Sequence, residues 1–454
     1  MKESVSEFIK NFFMETDIYI EKLDELSKQN AIELYEMYGV VSRHATLNIA
    51  EIDPELRAIL CARQDMILEQ IIDIDFDASQ NDIKGIYTPA VQGYRRWANV
   101  ELMKDKCLAG YMLSKELKTH PVMMFGTTPV DYTYADLLPG LELLYSDVES
   151  GNPNVYYEHL NKNYHEMDVM ILHGMYNETV PYLDAYRKFR PEGKVFCGLD
   201  MNSYWMNNIN WDAPGVRVFS EQCNVIATSS LELRDTLNRN PNVHFSCRWI
   251  PNGFLNSTNI TITADANIKK NIILTVGRIG SVQKNNQELL LAFAKAHQKL
   301  KNWELHLVGT IDNEFKPFID QYFEAFPFLK EKVIFTGPIT DKSELYKEYS
   351  EAKLFVLTSR LEGGTPNVYA EALNHGCMFV TSDIDAANEI TNYGDLGQVY
   401  KSGDIDDLVN ALVKVTSNAN KDAFQKHIPK ALSYAHKYYD WNRNAKKLAY
   451  MLYN

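Results

Sequence analysis

The sequence contains no run of about 20 apolar residues, so no segment has the length that a membrane-spanning helix requires. Its first residues, MKESVSEFIKNFF, lack the apolar centre of a signal peptide, and the expectation is a soluble or membrane-peripheral protein. Cysteine is sparse: Cys61, Cys107, Cys197, Cys223, Cys247 and Cys377 are scattered, with no C-x-x-C and no histidine at ligand spacing. That pattern argues against a zinc site and against a disulfide framework, and it makes the cytoplasm the simplest compartment, with a peripheral place at the inner membrane face left open. Positive charge is in deficit. A formal net charge of −14 argues against a chain that coats nucleic acid, because phosphate backbones demand an excess of Lys and Arg. A local basic site for a small anion is compatible with that balance.

What is present is an ordinary globular composition, 45% hydrophobic and 23% charged over 454 residues, enough for two or three domains. Residues 1–118 carry segments such as SEFIKNFFMETDIYIEKLDELSKQNAIELYEMYG and RRWANVELMKDKCLAGYMLSKEL, whose apolar residues recur at three-to-four spacing and predict a mainly helical extension. Within it DIDFD, Asp73 to Asp77, reads as a solvated turn rather than a carboxylate metal cluster.

From Pro121 onward short apolar runs alternate with helix-length segments. PVMMFG, DVMILHG, KVFCGLD, CNVIATS and SCRWIPNG predict one parallel, helix-covered sheet; after the polar NSTNITITADANIKKN, the runs IILTVG, ELHLVG, VIFTG, KLFVLTS and CMFVTS predict a second. The expected architecture is α/β, with two doubly wound Rossmann-like domains at 119–262 and 263–435 facing a cleft. In such sheets ligands bind at the carboxyl ends of the strands. The aromatics Tyr434, Tyr438, Tyr439 and Trp441 near the end read as packing residues rather than lipid contacts.

Two loops carry chemistry. In ILTVGRIGSVQKNNQELLLAFAKAH a strand ends in Gly277, Arg278 follows, and Lys284 precedes an amphipathic helix. Cations beside a helix N-terminus make an anion site, with Arg offering a fork that matches phosphate oxygens. In RLEGGTPNVYAEALNHG the loop of Gly363, Gly364 and Thr365 feeds a helix that Pro366 and Asn367 begin and Gly376 ends, with Asn367 a candidate N-cap. Its glycines admit a phosphate to the backbone. Glu371, one turn into the helix, is placed to accept from vicinal hydroxyls such as a ribose, and Glu362 precedes the loop.

The order strand-GR-x-K-helix, strand-LVG, VIFTGPITDKSELYKEYSEAKLFVLTS and EGGTPNVYAEALNHG resembles the C-terminal domain of retaining GT-B glycosyltransferases, family 4. CNVIATSSLELRDTL with WIPNGF is similar to the end of that family's N-terminal domain, and the final YDWNRNAKKLAYMLYN to its closing helix, which implies a helix at 436–454 returning to the first domain; the resemblance spans residues 119–454. It implies a nucleotide diphosphate sugar as donor, UDP-linked as first choice, and a glycan, glycolipid or protein hydroxyl as acceptor. It places Arg278 and Lys284 on the diphosphate, Glu371 on the ribose and Glu362 near the donor sugar. Gly364, Thr365, Pro366 and Asn367 would contact phosphate or sugar, and Gly337, Pro338 and Ile339 would lie by the base. Gly140, at the start of a helix in DLLPGLELLYSD, takes the place of the family's N-domain glycine loop. No cofactor and no metal are implied, since cations and helix dipoles stabilise the leaving group.

The chain departs from the family in places. One more residue than usual separates Glu362 from Glu371, and likewise Arg278 from Lys284. The family's N-domain histidine is missing from KVFCGLDMNSYW, where Leu199 and Asp200 stand, and Asp200 is taken as the cleft residue near donor sugar or acceptor. His173, ending the strand in MILHGMY, is a second candidate, with a structural hydrogen bond as its plainer reading. Asp383 and Asp385 in TSDIDAANEI read as a loop turn. The rival functions are a GT-B partner or chaperone without turnover, and a nucleotide-sugar epimerase or hydrolase. The helical extension is open to acceptor choice, homo-oligomer contact or membrane docking.

Overall fold

In the computed structural model the described residues are 4–72, 83–89, 99–125, 133–145, 154–255, 264–418 and 421–453. Among them, seven parallel strands form a first sheet: β1 (Gly85–Pro89), β2 (His120–Phe125), β3 (Glu142–Tyr145), β4 (Val169–His173), β5 (Lys194–Leu199), β6 (Val225–Thr228) and β7 (Cys247–Trp249), in the order β3-β2-β1-β4-β5-β6-β7. Six more form a second: β8 (Lys270–Val276), β9 (Glu304–Val308), β10 (Val333–Gly337), β11 (Ala352–Leu357), β12 (Met378–Ser382) and β13 (Gly397–Tyr400), in the order β10-β9-β8-β11-β12-β13. Both orders are doubly wound: the chain steps outward from a first strand, then crosses back and steps out the other way, leaving a switch point between β1 and β4 and between β8 and β11. The chain divides into two compact units, residues 1–251 with 441–454, and residues 252–440.

In the first unit, Met170 and Leu172 of β4, Val195 and Cys197 of β5 and Ile226 of β6 pack with Leu183, Tyr186, Phe219 and Leu237 from the helices Val180–Phe189, Pro214–Gln222 and Leu231–Arg239. Helix Asp105–Glu116 packs against β1, β2 and β4, and helix Trp441–Tyr453 packs on it. Three N-terminal helices, Val5–Glu21, Lys28–Leu47 and Pro54–Ile71, start at Ser4, Ser27 and Asp53, whose side chains accept backbone N–H groups as N-caps. They share a core of Ile9, Tyr38, Leu60, Ile67 and Leu68.

Two buried side chains fasten this helical layer to the rest of the unit. Arg57 donates to the carbonyls of Asn238, Asn240 and Val243 at 2.7, 2.7 and 2.6 Å, satisfying the end of helix Leu231–Arg239 and the turn after it. Asp65 lies between Arg234, at 3.0 Å, and Arg248, at 2.7 Å.

In the second unit alternate residues of β8, β11 and β12 serve opposite cores. Ile273, Leu354, Val356 and Val380 pack with the helix Asn286–Ala296, while Ile272, Leu274, Phe355, Leu357 and Phe379 pack with the helices Lys342–Glu351 and Asn367–Asn374. A sheet covered on both faces in this way reads in sequence as continuous apolar runs, which is why all five of its long runs were legible.

Three strands escaped the sequence reading. Strand β1 lies within 1–118, so that stretch is not a wholly helical extension; GIYTP is short and ends in proline, a weak strand signal. Strand β3 forms from ELLY, within the DLLPGLELLYSD that the resemblance had placed at a helix start; short apolar runs do not distinguish the two. The four-residue edge strand β13 gave no signal at all. Asp73 to Asp77 lie outside the described residues. Among the described residues, no helix is long and apolar enough to cross a membrane.

Candidate functional site

The second sheet's switch point gathers the residues singled out in its two loops. Gly277 leaves β8 at φ +151° and Gly309 leaves β9 at φ +147°. A β-carbon on Gly309 would lie 1.7 Å from the Gly277 carbonyl oxygen, so the two strand ends approach this closely only because glycine is there. Arg278 follows, and its Nη2 donates to Gln283 Oε1 at 2.8 Å. Gln283 in turn donates through Nε2 to the Leu361 carbonyl at 2.9 Å, and its own carbonyl accepts from Arg360 N at 2.8 Å. Lys284 Nζ forms an ion pair with Glu362, and the Lys284 carbonyl accepts from Thr358 Oγ1 at 2.9 Å. The loops after β8 and β11 are thereby laced together, with Lys284 and Glu362 both largely buried. Asn285, in left-handed conformation at φ 48°, turns the chain into the helix Asn286–Ala296.

After β11 the chain runs through Gly364, at φ +79°, to Thr365, which is fully buried and donates to Glu389 at 2.8 Å; its carbonyl accepts from Asn252 Nδ2 at 2.8 Å. Pro366 is the N-cap and Asn367 the first helical residue, so the cap falls one position earlier than the sequence suggested. The helix ends in a Schellman motif: Gly376 N–H reaches Leu373 O at 2.9 Å and Cys377 N–H reaches Ala372 O at 3.1 Å, with Gly376 at φ +69°. Glu371 is buried in this helix; Oε1 accepts from Lys342 Nζ at 2.8 Å and Oε2 from the Tyr349 hydroxyl at 2.9 Å. Gly337, Pro338 and Ile339 leave β10 at the same carboxyl edge, with Gly337 at φ +75° and its carbonyl held by Gly309 N at 2.9 Å. Asp383 accepts from Ser402 N at 2.9 Å, the bond of a loop turn.

His375, which closes that helix, is 1% exposed; Nδ1 lies 2.6 Å from the Glu371 carbonyl and the ring stacks on Tyr349. Burial lowers its pKa from 6.5 to about 4. The unfolded chain therefore binds a proton below pH 6.5 that the native state refuses until about pH 4. This contribution is fully present above the upper value and is lost as pH falls through the window, an expected decline of about 3 kcal/mol. Urea unfolding measured across that window should show it, and His375→Asn should flatten it; an unchanged profile in the variant assigns the effect elsewhere.

In the first unit His173 ends β4 and Asp200 directly follows β5, so both lie at the carboxyl edge of neighbouring strands. Lys106, at the start of helix Asp105–Glu116, stands 3.4 Å from Asp200. Burial, reinforced by the Lys106 charge, lowers the His173 pKa to about 4, so its ring is neutral; crowding by protein atoms raises that of Asp200, against the pull of Lys106.

Gly140 is the misplaced candidate. It precedes β3, a strand and not a helix, and in a parallel sheet that puts it at the amino edge, opposite to His173. There the neighbouring Pro139 carbonyl accepts from Lys115 Nζ at 2.8 Å. The loop after β1, residues 90–98, lies outside the described residues.

The sequence reading missed Gln283, Lys106, and the pair Lys342 and Tyr349 around Glu371. Gln283 adjoins Lys284 in a loop already flagged, and Lys342 lies just beyond the base-side segment; only the fold brings Tyr349 and Lys106 to their partners.

With this geometry in place, comparison with known proteins is informative. Residues 270–418, which hold both laced loops, match the family model described as glycosyl transferases group 1. No curated protein matches the chain by sequence. Among solved structures, the HepE protein of Anabaena in complex with UDP and glucose superimposes with a TM-score of 0.57 at 14% identity, covering 81% of this chain and 99% of that one. Sucrose-phosphate synthase from Thermosynechococcus elongatus gives 0.60 at 17% identity, over 80% and 97%. A glycosyltransferase from Rickettsia africae gives 0.57 at 14% identity, over 82% and 100%. The fold is that of the GT-B glycosyltransferases, with an N-terminal helical region. At these identities the likeness is one of fold.

Proposed function

We propose that the protein is a retaining glycosyltransferase, similar to family 4, that moves a hexose-type sugar from a nucleotide diphosphate donor to a hydroxyl of a glycan, glycolipid or protein. The observation that carries this reading is the Lys284–Glu362 pair, which joins the loops after β8 and β11 at a doubly wound switch point, beside Arg278 and ahead of a helix N-terminus. Cations and exposed N–H groups there suit a diphosphate, and they stabilise its charge as the sugar departs without calling on a metal. Glu362 then lies by the donor sugar, and the backbone of Gly364 to Asn367 by phosphate or sugar hydroxyls. Glu371 spends one acceptor site on Lys342 and one on Tyr349, and a carboxylate has about four, which leaves capacity for ribose hydroxyls. Gly337 to Ile339 serve the base. Within the first unit, His173 and Asp200 are the residues we assign to catalysis. For same-face transfer the departing phosphate can itself take the acceptor proton, so positioning and charge stabilisation dominate.

The first nucleotide to try is UDP, which the HepE crystals hold. A thermal-shift titration with UDP, GDP and ADP tests the reading: at a hundred times its dissociation constant the right nucleotide should stabilise the fold by about 2.7 kcal/mol. Glu371→Ala should weaken that shift. If no nucleotide shifts the wild type, the donor site is wrong, and a partner protein without turnover becomes the better account.

A further inference from the structure

We infer that Tyr204 and Trp205 form a platform on which a sugar ring of a saccharide acceptor stacks. The inference rests on the glycosyl-transfer reading and names the acceptor class for it.

The segment after β5 is anchored at three points. Met201, Met206 and Trp211 are 7, 4 and 5% exposed and belong to the first unit's core. Asn202, also buried, accepts from Trp205 N at 3.0 Å, and Asn208 Nδ2 donates to the Tyr204 carbonyl at 2.7 Å. Between these anchors Tyr204 and Trp205 stand out of the surface, 55 and 61% exposed, in edge-to-face contact with ring centroids 5.6 Å apart. The backbone of this short helix, Ser203–Asn208, is held while its two largest apolar side chains face water. With the rings nearly perpendicular, one offers a ring face and the other borders it, and their fixed backbone leaves little entropy to lose on binding.

Its surroundings select the ligand. From Asp200 to Arg217 the sequence holds Asn202, Asn207, Asn208 and Asn210, two aspartates and a single cation, Arg217, which is paired with Asp212 at 2.8 Å; Asn207, Asn208 and Asn210 are exposed. A sugar ring presents an apolar C–H face and a rim of hydroxyls, which an aromatic plane bordered by amides and carboxylates complements. An anionic lipid surface requires a cluster of cations in excess, and the two beside this segment, Lys106 and Arg217, are each matched by an aspartate, Asp200 and Asp212. The segment begins at Asp200, which stands 3.4 Å from Lys106 and four residues before Tyr204, so the platform follows in the chain directly on a residue assigned to catalysis.

The test is saturation-transfer-difference NMR on the full chain with maltotriose, lactose and chitotriose as probes, run beside the UDP thermal shift on the same preparation. At least one saccharide should bind. Trp205→Ala should weaken it about tenfold or more, equal to ~1.4 kcal/mol, and Trp205→Phe should restore most of it. Both side chains are exposed, so the core stays intact in either variant. If no saccharide binds although UDP does, or if Trp205→Ala and Tyr204→Ala bind as the wild type, the platform is wrong. Loss in Trp205→Ala of binding to phosphatidylglycerol vesicles, with no saccharide bound, overturns it in favour of a membrane contact. A missing UDP shift beside Trp205-dependent saccharide binding removes the donor reading and leaves the platform standing.

Discussion

Turnover of a nucleotide diphosphate sugar is expected to fall by about two to three orders of magnitude in Lys284→Met, the scale on which one charge-stabilising donor contributes to a transition state. Lys284 combines two tasks in the proposed site. It supplies positive charge where a diphosphate leaves, and it neutralises Glu362, whose carboxylate is itself largely buried at 9% side-chain exposure. Methionine fills the stem's volume but leaves the Glu362 carboxylate without its partner, so the second unit also loses stability; Gln283, with its bonds to Leu361 O and Arg360 N, keeps the β8 and β11 loops tied. Turnover is therefore compared at a temperature well below the variant's own melting transition. Donor consumption assayed by nucleotide release gives the number, and Glu362→Gln, which leaves Lys284 in place without its partner, separates charge at the phosphate from the pair itself. Turnover in Lys284→Met within about threefold of wild type would contradict the scale set by known charge-stabilising donors and would take Lys284 off the diphosphate.

The largest stability loss is expected from Asp65→Ala. Asp65 is 6% exposed and holds two buried guanidinium groups, those of Arg234 and Arg248, at 3.0 and 2.7 Å. Removing one partner of a buried ion pair typically costs about 3–5 kcal/mol, because the remaining charge stays desolvated and uncompensated. Here two charges stay behind, although Arg234 keeps Asp235 at 2.7 Å, so the upper part of that range applies. The packing of the helix Pro54–Ile71 on the helix Leu231–Arg239 should weaken, with Arg57 still holding its end, and the first unit's transition should fall by about 10 °C. Differential scanning calorimetry of the full chain measures it, with the second unit's Lys284→Met as the control that leaves this transition in place. A loss below about 1 kcal/mol would mean that Asp65 is no more than a surface ion pair in its effect.

These two residues illustrate what a sequence discloses. Lys284 was visible because it sits in a loop between a strand-ending glycine and an amphipathic helix, a local pattern with a local cause. Asp65 was invisible. Nothing in RQDMILEQI marks an aspartate as buried, since its partners are 169 and 183 residues away. The same contrast runs through the fold. The apolar runs of the second sheet announced themselves because that sheet is buried on both faces. GIYTP did not, although as β1 it is the strand next to the first sheet's switch point.

By itself the sequence determined the alternation of strands and helices, the division into two parallel, helix-covered sheets, and the two loops bearing Arg278, Lys284, Glu362 and Glu371. Each of these follows from side-chain period, turn chemistry and capping, which act over a few residues. Only the tertiary structure decided that Lys284 pairs with Glu362 across 78 residues, that Lys342 and Tyr349 occupy Glu371, that Lys106 stands by Asp200, and that Gly140 lies at the opposite edge from His173. Those facts depend on which strand neighbours which and in what register. Strand order is set by packing both faces of a sheet at once, a property of the whole chain that no short segment carries.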